Sequence, residues 1–400
     1  MKTNAGDNYL DKHRQQAEHV FRREAWDRSS GTAFGAARSS RIQDEAMDHD
    51  TIFKIYGNPN LPEGTEERPL LSFALFAYNQ ERYIREAVEG AFSQTYSPLE
   101  VILSDDSSSD RTFEMMEQMA REYRGPHRVV VRRNRENLRP YSHVRAAARI
   151  SKGKILVLAA GDDISKPNRT QKVYEASKDT DTWAFHSRFD SIDELGTVLS
   201  TSQRSESLFS GNNEFSNYFM STDGPVYVVH GATSAYRREL IEVAPHNDNG
   251  ILSEDGVFTI ILNMMKKRAS FIEESLVKYR THSEAISNAQ FDVRSSTITQ
   301  FRSLLDKQAI YAKNIADRSD LALNFSKKST DLLRPINEAY LRDELTIQRA
   351  KYLWKTLSPI QRLIALHAAL RRHRVGYILP SMLGSRIGPF YLWLRYRLAR

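Results

Sequence analysis

The stretch from residue 70 to residue 110 decides the fold, and it reads LLSFALFAYNQERYIREAVEGAFSQTYSPLEVILSDDSSSD. Its beginning, Leu70–Ala77, is almost entirely apolar and predicts a buried strand. Apolar side chains then recur at helical spacing between Glu81 and Gln94, and a second apolar run follows at Leu99–Leu103. A strand, a helix and another strand in this order predict two parallel neighbours in one sheet.

The same alternation continues along the next part of the chain. It predicts helices at 111–123 and 144–150 and strands at 129–131 and 155–159. The expected fold is therefore α/β, with a mixed, mostly parallel sheet flanked by helices and with ligands at the carboxyl ends of the strands. The later pattern predicts a short strand at Val226–Val229 and a helix over 256–266. From Asp292 the chain is expected to be helical, with a helix start at Ser358-Pro359.

Composition excludes several classes of protein. The 400 residues include no cysteine, which rules out a disulfide framework, a thiolate metal site and a cysteine nucleophile. The first 50 residues contain no apolar run typical of a secretion signal, and no run of about 18 apolar residues occurs. We therefore expect a cytoplasmic protein in three parts. They are a polar extension at 1–66, partly helical at 9–28, a catalytic domain at 67–290 and a basic helical region at 291–400.

Positive charge is concentrated at the end of the chain. The formal net charge is +7, yet the segment after Glu344 alone holds 11 Lys or Arg and no Asp or Glu. Basic residues mixed with Leu, Trp and Tyr favour an anionic membrane surface, here the inner face of the cell membrane. A helical cap packed on the catalytic domain explains the same pattern, with the basic residues in solvent. Nucleic acid is not an expected partner, because no nucleic-acid motif accompanies the charge.

Acidic residues and a histidine occur where strands are predicted to end or a helix to begin. They are Asp105-Asp106, Gly161-Asp162-Asp163, Glu254-Asp255 and His282. Carboxylates in such places can accept hydrogen bonds from a nucleotide or bind a divalent cation that bridges to phosphate. Ordinary structural explanations exist as well, because Asp favours turns, acidic residues cap helices and a single histidine is usually structural. Taken singly, the motifs leave both interpretations open.

Taken together and in order, the motifs resemble those of the family 2 glycosyltransferases over residues 70–288. The most specific part is Tyr78-Asn79-Gln80-Glu81, a helix, Gln94-Thr95-Tyr96, a strand, and then Asp105-Asp106 with Ser108 and Asp110. The resemblance implies a GT-A, Rossmann-like fold with a helical C-terminal extension. It also implies a nucleotide-binding set consisting of Ala77, Tyr78, Asn79, Glu81, Asp105, Asp106, Gly161 and Asp162.

The resemblance further implies the residues of the reaction. Asp163 and His282 are expected to hold a divalent metal, Mn or Mg, and Gly231 is expected to approach the donor sugar. Asp255 would be the catalytic base, and Glu254 would contact the acceptor or the sugar. The chain departs from the full family pattern at Ala160, where an Asp usually begins the Asp-x-Asp motif. A single displacement that inverts the anomeric configuration is the expected mechanism.

The expected function is therefore transfer of a sugar from a nucleotide-diphosphate sugar to a hydroxyl of a glycan or lipid-linked glycan. Uridine diphosphate is the expected carrier, and assembly of bacterial surface polysaccharide is the expected setting. A non-catalytic nucleotide-sugar-binding or scaffold protein stays open as an alternative, supported by Ala160. A nucleotidyltransferase is disfavoured, because no glycine-rich loop follows the first predicted strand.

Overall fold

Ten strands form one sheet in the computed structural model. The structure describes residues 50–58, 60–202, 210–211, 213, 215–220, 224–245, 251–282, 298–328 and 334–398. The strands are β1 (Asp50–Gly57), β2 (Leu71–Ala77), β3 (Leu99–Asp105), β4 (Arg128–Asn134), β5 (Ile155–Ala160), β6 (Ile164–Ser165), β7 (Thr182–Ile192), β8 (Val198–Thr201), β9 (Ala235–Arg237) and β10 (Arg268–Arg280). Their order is β1-β4-β3-β2-β5-β9-β7-β10-β6, and β8 pairs with β7.

Most of the sheet runs in one direction. β4, β3, β2 and β5 are parallel neighbours, and β10 is parallel to β7. β9 lies antiparallel between β5 and β7, which makes those two strands parallel to each other. The carboxyl ends of β2, β3, β5, β7 and β10 therefore share one edge, and the chain enters β9 at that same edge. This arrangement confirms the expected mixed, mostly parallel sheet.

Helices cover both faces of the sheet. They are α1 (Ile84–Phe92), α2 (Thr112–Glu122), α3 (Arg139–Ile150), α4 (Arg169–Ala176), α5 (Arg238–Val243), α6 (Glu254–Met264), α7 (Ile298–Lys328), α8 (Glu338–Leu353), α9 (Pro359–Arg371) and α10 (Val375–Leu398). Strand residues alternate between two buried clusters, with Phe73 and Leu75 packed on the face of α1 and α2. Ala74 and Ile102 pack on the opposite face, with α3 and α6. This alternation is that of a sheet buried on both sides.

The C-terminal helices divide into two packing groups. Leu321 and Phe325 of α7, with Leu341 of α8, belong to the large core beneath the sheet. The end of α8 packs with α9 and α10 in a separate small cluster. The helix start expected at Ser358-Pro359 is confirmed by a capping box, in which the Ser358 side chain and the Gln361 side chain bond each other's backbone N–H.

Two predictions of secondary structure differ from the structure. Val226–Val229 forms no strand. Instead, Asn263 Oδ1 and Thr259 Oγ1 of α6 accept the backbone N–H groups of Tyr227 and Val229. These side chains replace a neighbouring strand as hydrogen-bond partners, so the prediction was wrong. β1 lies inside the expected polar extension and pairs with β4. The helix expected at 9–28 lies outside the described residues.

None of the helices in the described part of the chain is long and apolar enough to cross a membrane.

Candidate active site

The predicted motifs meet at the shared carboxyl edge of the sheet. Ala77, Asp105 and Ala160 end the three adjacent strands β2, β3 and β5, and Arg280 ends β10. Gly231 begins a short 3-10 helix that leads into β9, and β9 pairs with β5. The topology alone therefore brings together segments that are far apart along the chain, at the edge where α/β sheets bind ligands.

The loops after β2 and β3 are bonded to each other. Asn79, in the left-handed conformation at φ 53°, donates its N–H to Ser108 Oγ at 2.9 Å. Its side-chain oxygen accepts the N–H of Ser109 at 2.8 Å, and Glu81 Oε2 accepts the N–H of Arg111 at 3.1 Å. Asn79 and Glu81 thus fix the shape of the loops. Tyr78, which comes just before Asn79, is 39% exposed.

Asp105 keeps one oxygen unused. The residue is 0% exposed, and its Oδ2 accepts the N–H of Ser108 at 2.9 Å and lies 3.3 Å from Arg133 Nε. Its Oδ1 is buried without a hydrogen-bond partner in the described structure. Burial raises the pKa of Asp105. Because buried polar atoms are nearly always bonded, this oxygen is a candidate acceptor for a ligand N–H.

Asp106 has the opposite surroundings, although it is the next residue. Its carboxylate accepts hydrogen bonds from Asn134 Nδ2 at 2.7 Å, Leu138 N at 2.8 Å and Arg139 N at 3.1 Å. Burial raises the pKa of Asp106, while these donors lower it. The carboxylate is thus engaged in holding the loop between β4 and α3. This observation favours a positioning role over the nucleotide contact expected from the sequence.

Gly161 is required by close packing where β5 leaves the sheet. A Cβ atom at this position would lie 2.5 Å from Gln80 Oε1 and 3.0 Å from Ala77 Cβ. The Gly161 N–H donates to Phe76 O at 2.8 Å, so the ends of β2 and β5 touch. Gly161 therefore brings the acidic loop that follows it against the loop of Tyr78.

Asp162 and Asp163 differ in exposure and in partners. Asp162 Oδ2 lies 3.0 Å from His282 Nε2, and the Asp162 side chain is 17% exposed. Asp163 is 4% exposed, and its Oδ1 accepts the backbone N–H of Arg280 at 2.8 Å. Burial and the neighbouring Asp162 raise the pKa of Asp163 well above its usual range. The structure thus brings His282 to Asp162, whereas the sequence paired it with Asp163.

Arg280 had no assigned role in the sequence, yet it connects much of the site. Its guanidinium is 1% exposed and donates to Glu86 Oε2 at 2.8 Å and to the Asp162 carbonyl at 2.9 Å. It also donates to the carbonyls of Asp193 and Glu194 in the turn between β7 and β8. The only sequence signal was its position two residues before His282. Arg280 holds the acidic loop against α1 and β10.

Asp255 lies against Gly231. The Gly231 N–H donates to Asp255 Oδ2 at 3.2 Å, and a Cβ at Gly231 would approach that oxygen to 3.0 Å. Asp255 Oδ1 accepts from Ser253 Oγ at 2.8 Å and from Gly256 N at 2.7 Å. These three donors orient the carboxylate, and an ionised carboxylate has about four acceptor positions.

Glu254 is half-buried beside Asp255 at the first turn of α6. Burial, and then the Asp255 charge, raise the pKa of Glu254 to about 8. The raised pKa favours the protonated form of Glu254. A proton donor beside an oriented Asp suits contact with a substrate oxygen better than proton abstraction.

A divalent cation would have two protein ligands here. The described residues contain no cluster of three His, Asp or Glu side chains that could form a metal cage. The Asp162–His282 pair offers one carboxylate oxygen and one imidazole nitrogen. Such a pair fits a cation whose remaining positions are filled by phosphate oxygens and water, as is usual for Mg²⁺ and for similar ions at nucleotide sites.

Comparison with known proteins shows a similarity to glycosyltransferases. Residues 72–243 match the model of Glycosyl transferase family 2. An uncharacterized glycosyltransferase of Methanocaldococcus jannaschii is 25% identical over 225 residues, which cover 54% of this chain and 72% of that protein. An uncharacterized glycosyltransferase of Haemophilus influenzae is 32% identical over 108 residues, 27% of this chain and only 32% of that protein.

Among solved structures, S. aureus TarS aligns with a TM-score of 0.47 and 15% identity, over 82% of this chain and 86% of that chain. The family match includes the loops of Tyr78, Asp105 and Asp162 together with Gly231. It ends before Asp255 and His282, which the sheet and α6 bring to the same edge. Over residues 72–243, the chain is therefore similar to glycosyltransferase family 2.

Proposed function

We propose that the protein transfers a sugar from a nucleotide-diphosphate sugar to an acceptor hydroxyl. The observation that carries this proposal is the position of Asp255. Its carboxylate is oriented by the Gly231 N–H at the edge of the sheet where Asp162 and His282 pair. A prospective base thus lies at the same edge as a prospective diphosphate site, as direct transfer between donor and acceptor requires.

The nucleoside would lie between the loops of β2 and β3. Asp105 Oδ1 would accept the ring N–H of a uracil, and the exposed Tyr78 ring would cover the base. Uridine diphosphate is the carrier that we propose, since its base offers one such N–H. Guanosine and thymidine carriers also offer a ring N–H, so the donor panel described below includes them.

We propose that Asp162 and His282 hold a divalent metal, Mn²⁺ or Mg²⁺, since the pair offers a carboxylate oxygen and an imidazole nitrogen. When bound, the metal would neutralise charge on the diphosphate leaving group. Asp163 is proposed as a positioning residue instead of a ligand. Its Oδ1 is bonded to the Arg280 N–H, and the side chain is buried.

The chain's own residues suffice to describe the transfer step. Asp255 accepts the proton of the acceptor hydroxyl while that oxygen forms a bond to the anomeric carbon. The bond between that carbon and the diphosphate oxygen breaks, and the nucleoside diphosphate leaves with the electron pair. A single displacement inverts the configuration. Glu254, protonated at neutral pH, would donate a hydrogen bond to a sugar or acceptor hydroxyl.

The proposed acceptor is a glycan or lipid-linked glycan, and the proposed setting is assembly of a bacterial surface polysaccharide inside the cell. The experiment is a panel of nucleotide sugars with Mn²⁺, Mg²⁺ or chelator and saccharide acceptors, with released nucleoside diphosphate as the readout. Asp255→Asn and Asp162→Asn should abolish metal-dependent release. Asp320→Asn, on α7 and outside the site, is the matched control and should leave release unchanged.

Three outcomes would contradict the proposal. If Asp255→Asn releases as much nucleoside diphosphate as the wild type, Asp255 is not the catalytic base. Calorimetry that detects donor binding, without turnover for any acceptor in the panel, would support the non-catalytic scaffold protein instead. Absence of binding to every nucleotide sugar would contradict both functions.

A further inference from the structure

Helix α9 has its small side chains buried and its large apolar side chains exposed. Ala365, Ala368 and Ala369 are at most 1% exposed and pack in the small cluster with α8 and α10. The opposite side of the helix, called here the outer face of α9, is formed by Ile360, Leu363, Ile364 and Leu370, which are 70%, 66%, 55% and 61% exposed. These positions follow helical spacing, so the four side chains form one stripe.

This stripe has the wrong polarity for a helix surrounded by water. A surface helix normally turns its large apolar residues inward, and scattered single exposures need no explanation. Four large aliphatic residues on one face of one helix form a contiguous patch, which marks an interaction surface. The capping box at Ser358 and Gln361 fixes the start of the helix, so the stripe belongs to a defined helix.

The charges around the stripe indicate what kind of surface it fits. No Asp or Glu occurs after Glu344, so neither α9 nor α10 carries an acidic residue. Lys355 is exposed just before α9, and Arg371 at its end is 53% exposed although it pairs with Asp343. An apolar stripe with cations at both ends and no acidic residue on its own helix is complementary to anionic headgroups above acyl chains.

We infer that the outer face of α9 lies on an anionic membrane surface. The helix has 13 residues and is thus about 20 Å long, which is too short to span a bilayer and sufficient to lie in its interface. The four aliphatic side chains would enter the boundary between headgroups and acyl chains. Lys355 and Arg371 would lie at the level of the phosphates. This inference does not depend on the proposed reaction.

The test is sedimentation of the full-length protein with vesicles of phosphatidylcholine alone or mixed with phosphatidylglycerol. The wild-type protein should bind the mixed vesicles. The variant Ile360→Gln/Leu363→Gln/Ile364→Gln should bind them at least about tenfold more weakly, because three apolar insertions are lost. Gln retains helix propensity, so thermal unfolding should match the wild type.

A matched control separates insertion from adsorption of a basic protein. Tyr311→Gln/Leu195→Gln removes two other large exposed residues, 64% and 86% exposed, and should bind like the wild type. Equal binding of the α9 variant and the wild type would overturn the inference, since charge alone would then explain adsorption. Absence of wild-type binding would overturn it too. If the wild-type protein does not bind vesicles but forms a dimer, and the α9 substitutions dissociate that dimer, the outer face of α9 is a self-association surface instead.

Discussion

The Asp105-Asp106 pair and the Glu254-Asp255 pair lie at the same edge of the sheet, but their hydrogen bonds differ. In the first pair the first residue keeps a buried oxygen without a partner in the described structure, while the second accepts donors from Asn134, Leu138 and Arg139. In the second pair the second residue accepts three donors, and burial raises the pKa of the first. Adjacent acids in a sequence thus take separate roles, which the nearby donors determine.

The largest expected effect concerns the second pair. Asp255→Asn should lower the transfer rate by about a thousandfold, because an amide cannot accept the acceptor's proton. Glu254→Gln should cost less than about tenfold at neutral pH, because Gln resembles a protonated Glu. Steady-state rates with saturating donor would measure both. If Glu254→Gln lowers the rate more than Asp255→Asn does, Glu254 is the base and the roles proposed for the two residues are exchanged.

The third acidic pair, Asp162-Asp163, tests whether the same division of roles holds there. Asp162→Asn should lower metal-dependent turnover by about a hundredfold and leave the melting temperature unchanged. Asp163→Asn should keep turnover within about fivefold, because the amide oxygen can still accept the Arg280 N–H. Titration of activity with Mn²⁺ would distinguish the two variants. A loss of metal affinity in Asp163→Asn alone would restore Asp163 as the ligand.

The first pair should separate nucleotide affinity from stability. Asp105→Asn should weaken binding of the nucleoside diphosphate by about tenfold, because a charged acceptor is replaced by a neutral one. Asp106→Asn should instead lower the free energy of unfolding by about 1–3 kcal/mol, since a buried acceptor of backbone donors is impaired. Calorimetry and denaturant unfolding of both variants would measure the two quantities. Similar affinity losses in both would contradict separate roles.

The smallest expected effect is a pH dependence of stability. The pKa of Glu254 is raised from 4.5 to about 8, so its contribution to stability is fully present below about pH 4.5 and is lost as pH rises through 8. Gln does not titrate. Wild-type stability should therefore decline relative to Glu254→Gln as the pH rises from about 5 to 8. Parallel unfolding curves across this range would show that Glu254 titrates normally.

Much of the fold was predictable, because local patterns dominate in buried parallel strands. Apolar runs predicted β2, β3 and β5, and helical spacing predicted α1 and α2. The failure at Val226–Val229 has a tertiary cause, since its backbone donors bond side chains of α6. β1 was missed although Thr51-Ile52-Phe53 and Ile55-Tyr56 have high strand propensity, because charged sequence surrounds them.

The candidate site could be located from the sequence, but the role of each residue could not. Asp163 accepts the N–H of Arg280, 117 residues away, and Asp255 accepts the N–H of Gly231, 24 residues away. No local pattern contains such contacts. The resemblance therefore indicated segments that the structure brings to one edge of the sheet, while the pairing of His282 with Asp162 instead of Asp163 needed the tertiary structure.

The contacts of Arg280 have a consequence for the order in which the site assembles. The loops of β2, β3 and β4 are joined by hydrogen bonds that involve only residues up to Arg139. The Asp162 loop, in contrast, is connected to Glu86 by the side chain of Arg280. Arg280 lies 194 residues after Glu86 in the sequence. During synthesis, the loops of the proposed nucleotide pocket can therefore form before β10 has been made. The Asp162 loop, at the proposed diphosphate site, can form its contacts only after β10 has been made. A nascent chain would thus gain the ability to bind a nucleotide before it gains the ability to use one.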